Sequence, residues 1–518
     1  MLLRIRKLLV NKKVAITLII ILAAFLRLYR IGDYMTFLGD EGRDVLIVKG
    51  ILEGHLTLLG PRASAADFFT GPIYYYFMAP FLWLFNLDPV GPAVGIALLG
   101  IITVYLVYRI GRYFFGKPAG LFAAALYAAS PLVISYSRSS WNPNPMPFFS
   151  LLILFFLYRS IVAQSWKTLL FTGLLFGVAM QLHYIEIFLG LAIFLFILIS
   201  TYMLEKKEKI KLIIIHYIEF LLGFIIGFLP FIAFEIRHGF SNFRTIFNFI
   251  FHQDLYIKEI VNTPPMQIIK DVFFRLFARL LTNYPPLDQP HSGTLVFTLW
   301  QLGVVMLAIA SIIALLRIKN KIVLLLFSLW LVVGVACFGF YKKPIYDYYF
   351  EFMFPLPFLL VGNLFYQLYK NKKMRIYGKI ISVSLFVTLF LYSLYWMPFR
   401  FPPNKQKDQV RGIAEFVVSK TDNKPFNFAL IAGQNSDHAY RYFFNVWKKD
   451  PITIENEAVD SRRTTVMDQL LIVCEDMNCE PLGNPLWEIA GFGRAEIVGE
   501  WDVSVVKVFK LEPYREEE

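Results

Sequence analysis

Long apolar runs separated by short basic segments constrain this chain more than any other feature of its sequence. Of its 518 residues, 57% are hydrophobic and 17% are charged, whereas a typical soluble domain carries about 25% charged residues. About 20 apolar residues suffice to cross the hydrocarbon core of a bilayer as a helix. We therefore predict a polytopic α-helical membrane protein with about eleven transmembrane helices, at residues 14–31, 92–111, 118–136, 145–163, 168–184, 186–204, 212–235, 294–316, 321–341, 345–368 and 376–397.

Two apolar segments near the N-terminus need separate interpretation. The run 14–31 follows a basic start, as a signal peptide would, but no small-residue cleavage site follows it, which favours a retained first helix. The segment 72–87 is short and rich in Tyr and Trp, the residues that concentrate at membrane interfaces. We interpret it as a re-entrant or juxtamembrane helix. A twelfth span there would reverse the orientation of every later segment.

The distribution of Lys and Arg predicts the orientation, because cytoplasmic connections carry an excess of these residues. Among the shorter connections, Arg138, Lys342 and Lys343 are the basic residues of one alternate set. The other set is strongly basic, so we place it in the cytoplasm together with the N-terminus. The loops 32–91 and 237–293 and the C-terminus are then outside. The basic segments are 4–13, 109–117, 159–167, 206–211, 317–321 and 370–375.

The composition changes after residue 397, which divides the chain into a membrane domain at 1–397 and a tail at 398–518. Strands alternate with helices in the tail, and this pattern predicts a small extracytoplasmic α/β domain. The first helix is predicted to begin at Asp408 and the second at Ser436, each residue acting as N-cap. The predicted strands are FNFALIA (426–432), QLLIVC (469–474) and VSVVKVFKL (503–511).

Two of the three cysteines, Cys474 and Cys479, lie close together in this tail. They can form a disulfide in an oxidising compartment. Alternatively, Cys474 is a buried strand residue and Cys479 a free thiol.

The segment LGDEGRD places Asp40, Glu41, Arg43 and Asp44 just after the first apolar run. Charged residues at a helix end are commonly no more than solvated groups. Here they open a long outer loop that contains its own apolar helix, so they can line a covered cavity. A carboxylate in such a cavity can act as a general base toward a hydroxyl or hold a divalent cation.

Three further polar clusters lie between the later spans, and each has a plain structural alternative. Arg138, Trp141 and Asn142 either line the same outer cavity or belong to a capped hairpin. His183 lies at membrane depth, where ionisable residues are functional candidates, but a lone His is often a packing residue. The last cluster can grip an anionic headgroup or consist of snorkelling interfacial residues; it contains Lys342, Tyr346 and Asp347.

Several classes of function lack support in the sequence. The net charge of +13 comes from segments between apolar runs, not from a basic face, so we predict no nucleic-acid partner. The chain has no Walker A motif, no Cys/His metal spacing and no nucleophile elbow.

The stretch RLYRIGDYMTFLGDEGRDVLIVKGILEG resembles the first outer loop of the GT-C integral-membrane glycosyltransferases, in particular the protein O-mannosyltransferase and lipid A aminoarabinose transferase group. The resemblance covers roughly the first 370 residues, and the tail resembles the outer α/β appendage of some bacterial members more weakly. It continues through GPIYYYFMAPFLWLF, YRIGRYFFGKPAGLFAAALYAASPLVISYSRSSWNPN and GVAMQLHYIE, and ends with DYYFEFMFPLPFLLVG.

This resemblance implies a glycosyltransferase of the cytoplasmic (inner) membrane with a polyprenyl-phosphate-linked sugar as donor. The implied reaction is an inverting transfer, on the outer face, to a hydroxyl of a protein, lipid or cell-envelope glycan. Asp40 matches the family's catalytic acidic position and Glu41 its usual neighbour. The resemblance implies no cofactor and, generally, no metal. The lipid bilayer is the remaining expected partner.

The sequence departs from the family at Thr70-Gly71-Pro72, where many members have a basic residue directly before the proline. We expect Arg62, Arg138, His183 and Lys342 to supply the donor-phosphate contacts. The predicted cavity residues are Arg43, Tyr74, Trp141, Asn142, Tyr346 and Asp347.

A lipid-linked donor requires a site near the membrane surface, and its phosphate is already a good leaving group. The site then needs a base for the acceptor and cations for the phosphate. Two alternatives stay open, a non-enzymatic lipid or glycan transporter and an oligosaccharide transferase or polymerase. The latter would use a pyrophosphate-linked donor and commonly a metal.

Overall fold

The computed structural model describes residues 12–63, 68–204, 207–251, 263–283, 295–476 and 478–514. The described residues are mostly helical, and their strands all lie in the tail. The helices before the tail are α1 (Lys12–Leu28), α2 (Ile31–Tyr34), α3 (Gly39–Leu52), α4 (Ile73–Leu84), α5 (Val90–Phe114), α6 (Lys117–Ala129), α7 (Pro131–Tyr136), α8 (Met146–Ala163), α9 (Trp166–Leu182), α10 (Ile187–Leu204), α11 (Lys209–Gly227), α12 (Leu229–Arg237), α13 (Ser241–Phe251), α14 (Pro265–Thr282), α15 (Leu295–Leu316), α16 (Lys321–Ala336), α17 (Pro355–Lys370) and α18 (Arg375–Tyr395).

Seven helical segments of the described residues are long and apolar enough to cross a membrane, which confirms a multi-pass membrane protein. An eighth candidate is the pair Asp347–Met353 and Pro355–Lys370, bent by 54°. Three of the eleven predicted spans, 14–31, 118–136 and 168–184, correspond to helices of 17 residues or fewer. The seven segments are Val90–Phe114, Met146–Ala163, Tyr184–Leu204, Lys209–Gly227, Leu295–Leu316, Lys321–Phe340 and Arg375–Tyr395.

Proline explains where two predicted spans are interrupted. Proline lacks a backbone N–H and clashes with the carbonyl four residues earlier, so it starts helices and breaks them internally. Pro131 opens α7 directly after α6 ends, and Pro230 is the second residue of α12, directly after α11. The segment predicted as a juxtamembrane element, 72–87, contains the 12-residue helix α4.

The tail contains α19 (Gln406–Ser419), α20 (His438–Val446), α21 (Trp487–Ala490) and a four-stranded sheet. The order of the strands is β1-β2-β4-β3, with β1 and β2 parallel and the other pairs antiparallel. This confirms an α/β fold. The strands are β1 (Asn427–Ile431), β2 (Leu470–Cys474), β3 (Ala495–Val503) and β4 (Val506–Pro513).

Three details of the tail differ from prediction or settle an alternative. Asp408 lies in the first turn of α19 and does not cap it, and Ser436 does not cap α20, which begins after Asp437. The predicted third strand is β4, and its antiparallel partner β3 was missed. Cys474 and Cys479 form a disulfide.

The chain divides into two compact units that are not contiguous in sequence. Within the described residues, the first unit comprises 12–29, 56–77 with its gap, and 93–402 with its gaps. The second unit comprises 30–55, 78–92 and 403–514. The acidic segment LGDEGRD therefore belongs to the same compact unit as the α/β sheet.

Candidate active site

Asp40 is the exposed carboxylate of the LGDEGRD segment. The segment forms the start of α3, and the side chain of Asp40 is 57% exposed. Glu41 and Asp44 are buried, with 7% and 2% of their surface accessible. The N-terminus of a helix carries partial positive charge, which stabilises carboxylates in the first turn. Asp40 is therefore the acid of this segment that is open to solvent.

Glu41 turns back onto its own helix. Its Oε2 accepts a hydrogen bond from the backbone N–H of Leu38 at 3.0 Å. Burial raises the pKa of Glu41 to about 7; backbone hydrogen bonds oppose this rise, and the charges of Asp40 and Asp44 add to it. These contacts stabilise the first turn of α3, whereas a part for Glu41 in catalysis stays a prediction.

Arg43 connects two of the acids. Its Nη1 lies 2.8 Å from Oδ1 of Asp40, and its Nη2 lies 2.7 Å from Oδ1 of Asp44. The guanidinium is largely buried, so it fixes the direction of the exposed Asp40 carboxylate from the protein side.

In the first unit, Arg138 closes the end of helix α1. It is 1% exposed, and its two terminal nitrogens donate hydrogen bonds to the carbonyl oxygens of Leu26, Arg27 and Tyr29 at 2.9–3.1 Å. The last carbonyls of a helix lack partners within it, so this arrangement explains Arg138 without a ligand. Phosphate binding by Arg138 stays a prediction.

Two predicted cavity residues form hydrogen bonds to neighbouring protein groups. The hydroxyl of Tyr74 lies 2.6 Å from that of Ser140, and Tyr74 is fully buried. Asn142 donates from Nδ2 to the carbonyl of Leu182 at 2.6 Å, which caps the end of α9.

The structure brings several other predicted residues together in an aromatic cluster. His183 stacks on Tyr184 with ring centroids 4.6 Å apart, and its Nδ1 accepts from the N–H of Ile185 at 3.3 Å. The ring centroid of Tyr348 lies 5.9 Å from that of His183 and 4.4 Å from that of Trp141. Tyr346 stacks on Tyr348 at 5.8 Å and is exposed. His183, Trp141 and Tyr346 thus belong to one cluster.

Asp347 forms ion pairs with two arginines that were not predicted as site residues. Oδ1 of Asp347 lies 2.6 Å from Nη2 of Arg275, and Oδ2 lies 2.6 Å from Nε of Arg279. Arg275 also pairs with Asp271 at 3.2 Å and donates to the carbonyl of Ile345 at 2.9 Å.

A sequence signal for these arginines exists. Arg275 and Arg279 are four residues apart in KDVFFRLFARLL, so a helix places them on one face. Helix α14 does form there, in the loop predicted as 237–293. Parts of that loop, 252–262 and 284–293, lie outside the described residues.

The departure at Thr70-Gly71-Pro72 has a local packing basis. A Cβ atom at Gly71 would overlap the side chain of Gln181, so a basic side chain does not fit in this backbone position. Arg62 and Lys342 are both exposed. Their predicted contact with a donor phosphate stays a prediction.

The fold is similar to that of solved proteins. The structure is similar to ArnT from Cupriavidus metallidurans bound to undecaprenyl phosphate, with a TM-score of 0.62, 13% identity, and coverage of 96% of this chain and 97% of that chain. It is also similar to the oligosaccharyltransferase AglB from Archaeoglobus fulgidus in complex with an inhibitory peptide and a dolichol-phosphate. That likeness has a TM-score of 0.52, 12% identity, and coverage of 89% and 69% of the two chains.

Two sequence comparisons agree with the fold. The family described as "Dolichyl-phosphate-mannose-protein mannosyltransferase" matches residues 70–234. The chain is 27% identical over 201 residues to "Putative mannosyltransferase YycA" of Bacillus subtilis (strain 168), a match that spans 38% of this chain and 28% of that protein. These matches agree with the family resemblance found in the sequence.

Proposed function

We propose that this protein transfers a sugar from a polyprenyl-phosphate donor to an acceptor hydroxyl, with inversion and with Asp40 as general base. The observation that carries the proposal is the exposed carboxylate of Asp40 in the first turn of α3 in a chain of GT-C fold. The match to the mannosyltransferase family begins at residue 70 and does not include Asp40. The support for Asp40 is therefore its geometry and the resemblance of its motif.

The proposed chemistry needs few groups. Asp40 accepts the proton of the acceptor hydroxyl while the acceptor oxygen forms a bond to the anomeric carbon. The bond from that carbon to the phosphate oxygen breaks, and the polyprenyl phosphate leaves with the electron pair. Attack opposite to the leaving group inverts the anomeric centre. Arg43 fixes the carboxylate, so the base does not have to be ordered during the reaction.

Cations stabilise the phosphate as its charge develops. Of the four residues predicted for this role, Arg62 and Lys342 are exposed and the better candidates, whereas Arg138 and His183 are buried. The pair Arg275 and Arg279 is a further candidate. Arginine forms bidentate hydrogen bonds with phosphate, and a phosphate would take the place of the Asp347 carboxylate.

The proposal keeps the predicted topology, with the N-terminus in the cytoplasm and the C-terminus, Asp40 and the α/β domain outside the inner membrane. The acceptor is a protein, lipid or envelope glycan. Among the described residues, no group of three or more His, Cys, Asp or Glu side chains is placed to hold a metal ion. Metal independence remains a prediction, which activity in the presence of a chelator would test.

The test uses the full chain in lipid nanodiscs with a panel of labelled polyprenyl-phosphate monosaccharides, a labelled polyprenyl-pyrophosphate oligosaccharide, and membrane extract as the source of acceptors. We expect wild type to consume one donor and Asp40→Asn to consume none. Asp408→Asn is the matched control, since Asp408 is also an exposed acid in the first turn of a helix and also contacts a basic neighbour, Lys407.

Each outcome has a distinct meaning. Donor consumption by Asp40→Asn at the wild-type rate would remove Asp40 from the mechanism. Consumption lost equally in Asp408→Asn would indicate damage to the fold. If wild type consumes no donor with extract present, the transporter becomes the better interpretation. Consumption of a pyrophosphate-linked donor alone would favour the oligosaccharide transferase.

A further inference from the structure

Helix α3 begins without a capping side chain of its own. The first backbone N–H groups of a helix have no partner within it, and Ser, Thr, Asp or Asn usually accepts from one of them. The N-cap here is Leu38, which has no side-chain acceptor. Glu41 accepts a hydrogen bond from the N–H of Leu38. The N–H of Gly39, the first residue of the helix, still needs another acceptor.

A residue of the α/β sheet region supplies the missing acceptor. Oδ1 of Asn435 accepts a hydrogen bond from the N–H of Gly39 at 2.8 Å, across a separation of 396 residues. The same oxygen accepts from the N–H of Ser436 at 2.9 Å. Asn435 therefore caps α3 from a distant part of the same compact unit, one residue before Asp40.

Asn435 is itself held in place. Its Nδ2 donates to Oε1 of Glu475 at 2.8 Å, and the hydroxyl of Tyr440 donates to the same oxygen at 3.2 Å. Glu475 directly follows strand β2, and its N–H bonds to the carbonyl of Ile431, the last residue of β1. The acceptor for α3 is thus fixed to the ends of the two parallel strands.

Two further contacts bring α3 and α20 together. A Cβ atom at Gly42 would overlap the backbone of Ala439, so the two helices touch backbone to backbone there. Phe37, just before α3, is fully buried, with its ring centroid 5.7 Å from Phe443 and 6.2 Å from Tyr442. These contacts leave α3 little freedom to rotate or slide.

We propose that Asn435 is a positioning residue for Asp40, and that the α/β domain completes the catalytic helix by capping and clamping its first turn. This inference rests on the proposed function for its catalytic part. The cap, the Glu475 anchor and the contact at Gly42 all act on the turn that carries Asp40. A carboxylate on a frayed turn would lose the alignment that general-base catalysis requires.

The test combines a structural measurement with a kinetic one on full-length protein in nanodiscs. Asn435→Ala removes the acceptor and the donor together. Asn435→Asp keeps the acceptor but places a carboxylate against Glu475. Adding Glu475→Gln to Asn435→Asp restores the pair, because the Gln amide can donate to the new carboxylate. Asn445→Ala is the matched control, as Asn445 is in α20 and its side chain bonds to Asp450.

Amide hydrogen exchange of residues 39–44 reports on the cap whether or not the protein is active. We expect about tenfold faster exchange in Asn435→Ala, the size of a typical lost cap, and no change in Asn445→Ala. Donor turnover reports on positioning. We expect kcat to fall about ten- to a hundredfold in Asn435→Ala while KM for the donor changes little. The double variant should recover both readouts.

The outcomes separate this inference from the proposed function. Unchanged exchange at 39–44 in Asn435→Ala would overturn the cap, whatever the activity. Faster exchange with unchanged kcat would overturn the positioning role. Failure of the double variant to regain protection would overturn the Asn435–Glu475 anchor. A wild type that turns over no donor would refute the proposed function and the catalytic part of this inference, while the exchange result still decides the cap.

Discussion

Replacing Glu41 by Gln should remove a pH-dependent weakening of helix α3. The substitution keeps the size of the side chain and an oxygen that can accept from the N–H of Leu38, a bond of 3.0 Å in the wild type. It removes a carboxyl group whose pKa burial raises from 4.5 to about 7. When α3 opens, Glu41 reaches water and its pKa returns to the ordinary value of 4.5.

The direction and size of the effect follow from these two values. The opened helix loses the proton near pH 4.5, whereas the closed helix keeps it until about pH 7. Between these limits, each additional pH unit favours the opened helix by about 1.4 kcal/mol. The loss therefore reaches about 3 kcal/mol at pH 7 and above and is absent below the unfolded pKa.

Hydrogen exchange of residues 39–52 in nanodiscs, corrected for the intrinsic pH dependence of exchange, measures this opening free energy. At pH 7.5 the amides of Glu41→Gln should exchange about a hundredfold more slowly than those of wild type, and at pH 4 equally fast. Glu53→Gln is the control, since Glu53 is an exposed acid at the end of the same helix. A difference between Glu41→Gln and wild type that is the same at pH 4 and pH 7.5 would refute the reasoning.

Two other substitutions test the polar framework. Asp347→Asn removes the shared counter-ion of Arg275 and Arg279, whose side chains are each 17% exposed. We expect the variant to lose about 2 kcal/mol of stability and to unfold at a lower thermal midpoint, which adding Arg279→Leu should partly restore. An unchanged midpoint in Asp347→Asn would contradict the pairing. Replacing Cys474 and Cys479 by Ala should cost about 2 kcal/mol, from the entropy of a short closed loop. Wild type, but not this variant, should then lose thermal stability in reductant, and equal sensitivity of both would argue against the disulfide.

The membrane helices could be predicted from sequence because their signal is local. Apolar composition over about 20 residues is sufficient to mark a span, and each of the long spans found was among those predicted. The interruptions before Pro131 and Pro230 could have been predicted too, since both prolines are visible in the sequence. Length alone favoured continuous spans in those places.

Strand β3 was missed because it is largely exposed, unlike β1 at the other edge of the sheet. Its segment AEIVGEWDV is mostly exposed, with polar residues on both sides of its few apolar ones. Strands β1 and β2 are almost wholly buried and appear as continuous apolar runs. A buried strand has a strong compositional signal, whereas an exposed strand depends on a partner that the local sequence does not reveal.

For the candidate site, the sequence identified residue types but not their partners. Asp40 and the acidic segment stood out because three carboxylates lie within five residues just after an apolar run. The pairing of Asp347 with Arg275, 72 residues away, and of Gly39 with Asn435, 396 residues away, is a product of tertiary structure. Asn435 lies in no motif with a chemical interpretation of its own. The spacing of Arg275 and Arg279 places them on one helix face but does not identify Asp347 as their partner.

The discontinuity of the second unit has a consequence for biosynthesis. Residues 30–55 leave the ribosome well before residues 403–514, with which they share a compact unit. At roughly 5–20 residues per second, this interval lasts tens of seconds. During that time α3 has neither its cap from Asn435 nor its contact with α20. Helix α3 therefore lacks these contacts while most of the membrane helices are inserted. Its ordering is among the last steps in the maturation of the chain.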